Sequence, residues 1–147
     1  MALEKYRQKR HFKETPEPQA RVVRSAKAKR FVVQKHAATH LHYDFRLEMN
    51  GVLKSWAVPK IPPARAGIKR LAVQVEDHPV AYAKFHGVIP EGEYGGGRVK
   101  IWDKGTYQIV EKTPVSYKFE LFGRKLTGVY VLYKFKDKNW LLFKTKH

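Results

Sequence analysis

The sequence predicts a mainly β fold, an antiparallel barrel or sandwich with one or two short helices. Beyond residue 30 the chain breaks into short runs rich in Val, Ile, Tyr, Phe and Trp, several of which alternate apolar and polar residues as half-buried strands do. Turn formers separate the runs, among them Asn50-Gly51, Pro62-Pro63 and the glycines between 92 and 97. Helical patterning is confined to the N-terminal segment and to Val80–Phe85.

Residues 1–30 are basic and polar. Met1–Glu14 is compatible with a short helix that stops before Thr15-Pro16-Glu17-Pro18, and RSAKAKR (24–30) reads as an exposed basic link, either a linker or a nucleic-acid contact. FVVQKH (31–36) is a β-branched strand. THLHYDFRLE (39–48) alternates strictly, with Leu41, Tyr43, Phe45 and Leu47 on one face and His40, His42, Asp44, Arg46 and Glu48 on the other. Asn50-Gly51 suits the positive φ angles of a tight hairpin, so VLKSWAV (52–58) returns as the partner strand. Pro59, Pro62 and Pro63 end it, and KIPPARAGIK (60–69) is a loop carrying Lys60, Arg65 and Lys69. RLAVQVEDH (70–78) alternates again, and IPEGEYGGG (89–97) is a glycine loop. RVKIWDKG, TYQIVEK, SYKFELFG, GVYVLYKFK and NWLLFKTK follow as strands, with turns expected at Gly105, Gly123, Gly128 and Asp137-Lys138-Asn139.

A chain of 147 residues suits one domain with a real core. The expected division is a partly helical basic segment, 1–30, packing near the site, and a β domain, 31–147. Lys and Arg number 30 against 13 Asp and Glu, a formal net charge of +17 that draws polyanions. Nucleic acid stands ahead of anionic membrane, because the basic residues are spread along the chain and form no basic amphipathic helix. Cysteine is absent, which excludes disulfides, thiolate nucleophiles and cysteine-bound metals. Any metal must therefore use His, Asp or Glu. With no apolar run long enough to span a bilayer and no signal-peptide pattern, no membrane partner and a cytoplasmic location are expected.

Residues two apart on a strand share a face, so His40, His42 and Asp44 point together with Arg46 next in line. Two imidazoles and a carboxylate suit a divalent metal such as Mn2+, Fe2+ or Zn2+. A guanidinium beside such a metal suits a phosphate, whose oxygens both can hold. His36, just upstream, could reach in from the preceding turn. A solvated strand face with incidental histidines competes with the metal site, and spacing alone leaves both open. His40–Asp44 also matches the H-x-H-x-D of metallo-β-lactamase-type hydrolases, but Phe45 stands where that pattern continues with His, and the helices of that fold are missing.

HAATHLHYDFRLEMNGVLKSWAVPK and EDHPVAYAKFHGVIPEGEYGGG resemble the 3′-phosphoesterase module of bacterial DNA ligase D. The resemblance runs from about Tyr6 to the C-terminus. That module also occurs as a stand-alone protein, which this chain is expected to be. The resemblance implies a compact β-barrel and a manganese-dependent enzyme of DNA repair. Such an enzyme removes a 3′-terminal ribonucleoside from a primer strand, then hydrolyses the remaining 3′-phosphate to a 3′-hydroxyl. It implies His36, His42 and Asp44 as Mn2+ ligands, His40 dropping out, and Arg46 on the scissile phosphate. His78 is implied as a phosphate contact or general acid, Tyr82 as a residue near the metal, and Lys60 and Arg70 as phosphate ligands. Arg10 and Glu17 fit the N-terminal pattern, whereas His11 replaces an acidic residue there. That departure bears on the ribonucleoside-removing step and not on the metal ligands. The implied partners are DNA primer–template 3′ ends, including ends with a terminal ribonucleotide, and a separate DNA ligase with end-joining factors; a monomer is expected. A non-catalytic or partly degenerate end-binding β-domain is the alternative.

Overall fold

The computed structural model describes residues 3–20 and 29–146. The strands are β1 (Lys29–Ala37), β2 (Leu41–Met49), β3 (Val52–Val58), β4 (Lys69–Pro79), β5 (Gly87–Ile89), β6 (Gly97–Thr113), β7 (Ser116–Phe122), β8 (Thr127–Lys136) and β9 (Asn139–Lys144). Eight of them close an antiparallel barrel in the order β1-β2-β3-β4-β9-β8-β7-β6, with β6 returning to β1 and β5 added on the outer edge of β6. Helix α1 (Glu4–Gln8) lies against β4, and a 3-10 helix (Val80–Lys84) follows β4.

One face of each barrel strand fills the interior. Phe31 and Val33 of β1, Tyr43, Phe45 and Leu47 of β2, and Trp56 and Val58 of β3 meet Phe119, Tyr130, Trp140 and Leu142 from the opposite wall. An eight-stranded barrel is just wide enough for side chains to fill it, so this core is solid. The alternate residues of β1 and β2 point outwards, yet they are not in water. Tyr6, Val32, Leu53, Tyr82, Phe85, Ile89 and Val99 form a second apolar cluster on the outer wall, built by α1, the 3-10 helix and β5. Asp44 and Arg46 lie beside this cluster, 6% and 2% exposed. The inner part of the polar face, Asp44, Arg46 and Glu48, is thus covered, while His42 is half-buried and His40 exposed.

Asn50 and Gly51 take φ of 56° and 79°, the two-residue hairpin expected of Asn-Gly. Other boundaries differ from expectation. The N-terminal helix spans only Glu4–Gln8, and Lys29, Arg30 and Lys69 belong to strands. Residues 24–28 of the expected basic link, and His147, lie outside the described residues. His36 is not on a turn but on β1, directly opposite His42. Gly128 lies inside β8, at φ 101°.

Gly105 is also no turn. It lies inside the 17-residue β6, whose first part pairs with β1 and whose last part pairs with β7. A Cβ at Gly105 would stand 2.1 Å from the Phe122 carbonyl oxygen, so glycine is required by close backbone approach, not by a turn. Gly105→Ala is expected to cost about 2–3 kcal/mol of stability, the scale of overpacking a tight site, measured by urea unfolding.

Candidate metal centre

The site is assembled across three neighbouring strands. His36 lies opposite His42, Gln34 opposite Asp44 and Val32 opposite Arg46 between β1 and β2; β3 adds Ala57 opposite Asp44 and Ser55 opposite Arg46. Directly opposed residues share a face, so the alternation that buries Phe45 inside the barrel presents Asp44 and Arg46 outside it.

One ligand atom from each of His36, His42 and Asp44 lies within 4.8 Å of the other two. His36 Nδ1 is 3.4 Å from Asp44 Oδ2, and His42 Nε2 is 3.2 Å from Asp44 Oδ1. The remaining ring nitrogens are committed: His36 Nε2–H donates to the Gly95 carbonyl at 2.6 Å, and His42 Nδ1–H donates to the His40 carbonyl at 3.1 Å. A carbonyl only accepts, so these bonds fix both tautomers and turn two lone pairs toward the carboxylate. That convergence of acceptors requires a cation between them, a proton or a metal. Burial works against a charged His42, but the hydrogen bond and charge of Asp44 outweigh it and raise its pKa. Burial would raise the pKa of Asp44; the Arg46 guanidinium and the two histidines reverse this and hold the carboxyl well below its usual range. An ionised carboxylate with two oriented imidazoles fits a divalent metal without rearrangement of these tautomers.

Arg46 forms the second half of the site. Its Nε–H donates to Gln34 Oε1 at 2.7 Å, its Nη1 donates to Ser55 Oγ at 2.9 Å, and its Nη2 lies 3.4 Å from Asp44 Oδ2. Its guanidinium carbon lies 4.9 Å from the Tyr82 ring centre. Arg10 enters from the N-terminal segment, stacked on the Tyr6 ring at 3.9 Å, and its Nε donates to Glu17 at 2.8 Å. His78 stands between the two arginines, with Nη1 of Arg46 3.1 Å from its Nδ1 and Nη2 of Arg10 3.3 Å from its Nε2. Burial and these two guanidiniums push the His78 pKa well below its ordinary value. A neutral ring with Nδ1–H donating to the Glu76 carbonyl at 2.9 Å and Nε2 accepting from Arg10 uses both ring nitrogens, and Arg46 Nη1 then keeps Ser55 Oγ as its acceptor. Arg10, Arg46, His78, Tyr82, Glu76 and the metal-site residues line one cavity of about 230 Å³.

Residues 34–134 match the family model of the DNA ligase D 3′-phosphoesterase domain. The chain belongs to that family. It is 48% identical to the multifunctional non-homologous end joining protein LigD of Pseudomonas aeruginosa, covering 98% of this chain and 18% of that protein. It is 43% identical to the LigD of Mycolicibacterium smegmatis, over 98% of this chain and 20% of the relative, and 43% identical to that of Mycobacterium tuberculosis, over 99% and 20%. The chain thus spans about a fifth of the length of these relatives.

In this 3′-phosphoesterase family chain, His36, His42, Asp44, Arg46, His78, Tyr82 and Arg10 come together. Three other expected residues stand differently. The Glu17 side chain is 0% exposed; it accepts from Arg10, from the Tyr82 hydroxyl at 2.7 Å and from the Thr15 hydroxyl at 3.0 Å. Its carboxylate holds these three neighbours in place. Lys60 is exposed beyond the end of β3, and Arg70 Nε donates to the Ile61 carbonyl at 2.8 Å. Neither lines the cavity, because strand register carries both past the end of the barrel that bears His42. Tyr82 stays a phenol: burial pushes its pKa far up, against the pull of Arg46.

Gln34 and Ser55, outside the expected set, have a sequence signal: each is a single neutral polar residue within a run of strand-forming residues. Glu76, Tyr6 and Tyr94 carried no local signal. Glu76 of β4 and Tyr94 of the glycine loop line the cavity, and Tyr6 of α1 packs behind it against Arg10 and His78.

A divalent transition metal at a hundredfold excess over its Kd should stabilise the protein by about 2.7 kcal/mol, seen as a rise in Tm, and His42→Ala should abolish the rise. His78 predicts a pH dependence. Its depressed pKa means that the unfolded chain takes up a proton that the folded chain refuses. The stability is whole above about pH 6.5 and falls below it, by at most about 1.4 kcal/mol per pH unit. Denaturant unfolding of His78→Gln between pH 7 and 5 should show a flatter profile than the unsubstituted protein.

Proposed function

We propose that this chain is a metal-dependent DNA 3′-end-processing phosphoesterase. It removes 3′-terminal ribonucleosides as a phosphodiesterase and 3′-phosphates as a phosphomonoesterase, leaving 3′-hydroxyl ends for repair. The observation that carries the reading is the meeting of a cation-demanding donor set, His36, His42 and Asp44, with two buried guanidiniums in one small cavity. A phosphate ester, whose non-bridging oxygens can face a metal and a guanidinium together, complements both halves at once.

His36, His42 and Asp44 would hold the metal, with Mn2+ the favoured ion, which supplies Lewis acidity to a phosphoryl oxygen. Arg46 orients the phosphate, itself braced by Gln34 and Ser55, so its position costs no reorganisation during reaction. Arg10 adds a second positive charge from the 1–30 segment, held by Glu17, which itself accepts from Tyr82 of the 31–147 domain. His78 is neutral while both guanidiniums face it. Burial and these guanidiniums both disfavour its charged form; a bound phosphate would offset the guanidinium charge and raise its proton affinity, which suits His78 to protonate the leaving oxygen. Tyr82 walls the Arg46 guanidinium and anchors Glu17 through its hydroxyl. Lys60 and Arg70 supply charge at the rim, where duplex phosphates approach, with little reading of bases.

Among the described residues no helix is long and apolar enough to cross a membrane. A monomer acting on DNA ends in the cytoplasm, ahead of ligation, fits the reading. A second reading, a member that has lost the ribonucleoside step, draws on His11, whose Nδ1 lies 3.2 Å from Glu93 Oε1 where the family pattern has an acidic side chain.

A primer–template with one 3′-terminal ribonucleotide separates these readings. With Mn2+ the protein should give first the 3′-phosphate and then the 3′-hydroxyl product, and neither in a chelator. Asp44→Ala should lower both steps by about a hundredfold or more while circular dichroism stays unchanged. Conversion of a 3′-phosphate end without ribonucleoside removal would support the second reading, and full activity of Asp44→Ala would sink the metal mechanism.

A further inference from the structure

Beside the candidate metal centre lies a second, larger cleft of about 760 Å³, and the two share Ala38, His42, Ile89 and Gly95 as a common wall. Thr39 and His40 of the β1–β2 turn form one side, Val88 of β5 another, and Glu91 and Glu93 of the glycine loop a third. Its charge is opposite to that of the rest of the protein. Of 30 Lys and Arg residues, none is among the described residues that line it, whereas two carboxylates do. The cleft is also preformed. A Cβ on Gly97 would come 2.2 Å from the Ala37 carbonyl oxygen, so the glycine loop is seated directly on the turn that carries Thr39 and His40.

We infer that this cleft seats the departing 3′-terminal ribonucleoside, an inference that rests on the phosphoesterase reading above. A terminal nucleoside carries no phosphate beyond the scissile one. Glu91 and Glu93 would repel a continuing strand, with its further phosphates, and leave a neutral nucleoside unopposed. Ionised carboxylates are pure acceptors, and the terminal ribose offers a pair of adjacent hydroxyl donors, O2′–H and O3′–H. Glu93 is partly engaged by His11, so Glu91, which is exposed, is the nearer match to the diol. Val88, 53% exposed, and the His40 ring supply an apolar and a π surface for the base. His40 thereby gains a use besides its carbonyl, which holds the His42 tautomer.

The chemistry separates the two activities. In ribonucleoside removal, water adds to phosphorus, the P–O5′ bond breaks, and O5′ takes a proton and departs with the ribonucleoside; the primer keeps the 3′-phosphate. In phosphate removal no nucleoside occupies the cleft. Blocking the cleft should therefore depress the first activity alone. Val88→Trp fills it from an exposed position, and Glu91→Gln removes the acceptor charge. Each should lower the ratio of kcat/KM for ribonucleoside removal to that for 3′-phosphate removal by about tenfold. Free adenosine should inhibit ribonucleoside removal more strongly than 2′,3′-dideoxyadenosine, and Glu91→Gln should narrow that difference. If the unsubstituted protein performs both reactions and the ratio stays within about twofold in both variants, the subsite is overturned while the phosphoesterase reading stands. If the unsubstituted protein performs neither reaction, both readings fall.

Discussion

The structure depends on the period-two alternation of β2. Tyr43, Phe45 and Leu47 are locked inside a barrel with no room to spare, so Asp44 and Arg46 must face outwards. A slip of one residue in register would exchange these sets and place two charges in the core. The hydrophobic core and the polar site are therefore two faces of one constraint. The hairpin at Asn50-Gly51 holds that register on one side and the pairing with β1 on the other.

A row of charges on a barrel wall would ordinarily be left to solvent. Here α1, the 3-10 helix and the glycine loop cover it, and its members must satisfy one another. Arg46 answers Asp44, Glu17 answers Arg10, and Gln34, Ser55 and the Glu76 carbonyl take the remaining donors. Two places remain in tension. The His36, His42 and Asp44 acceptors converge without enough protons, and two guanidiniums press on a neutral His78. The first calls for a cation and the second for an anion.

Much of this was legible in the chain. Alternation placed the strands from 31 to 58 and 70 to 78, because one-sided burial writes itself into every second residue. Gly105 and Gly128 misled because a glycine within a strand and a glycine in a turn look alike locally; backbone crowding against Phe122 distinguishes the first. Spacing alone nominated His40 beside His42 and Asp44, and the family resemblance replaced it with His36. The reason is cross-strand pairing: a side chain directly opposite His42 can reach Asp44, whereas His40 lies beyond the start of β2 and lends only its carbonyl.

By itself the sequence determined a β fold, a polar and an apolar face of β2, a strong positive charge and, through its long family motifs, a candidate ligand set, His36, His42 and Asp44, that the fold brings together. All of these are written in short-range period or in contiguous blocks. Only the tertiary structure decided that the polar face is buried, that Glu17 braces Arg10 and Tyr82, that His78 is neutral, and that an acidic cleft adjoins the metal centre in a basic protein. Each of these depends on segments far apart in the chain, the N-terminal helix, β4 and the glycine loop, meeting on one wall of a closed barrel. Burial and the charges facing a group belong to that meeting, and no local spacing encodes them.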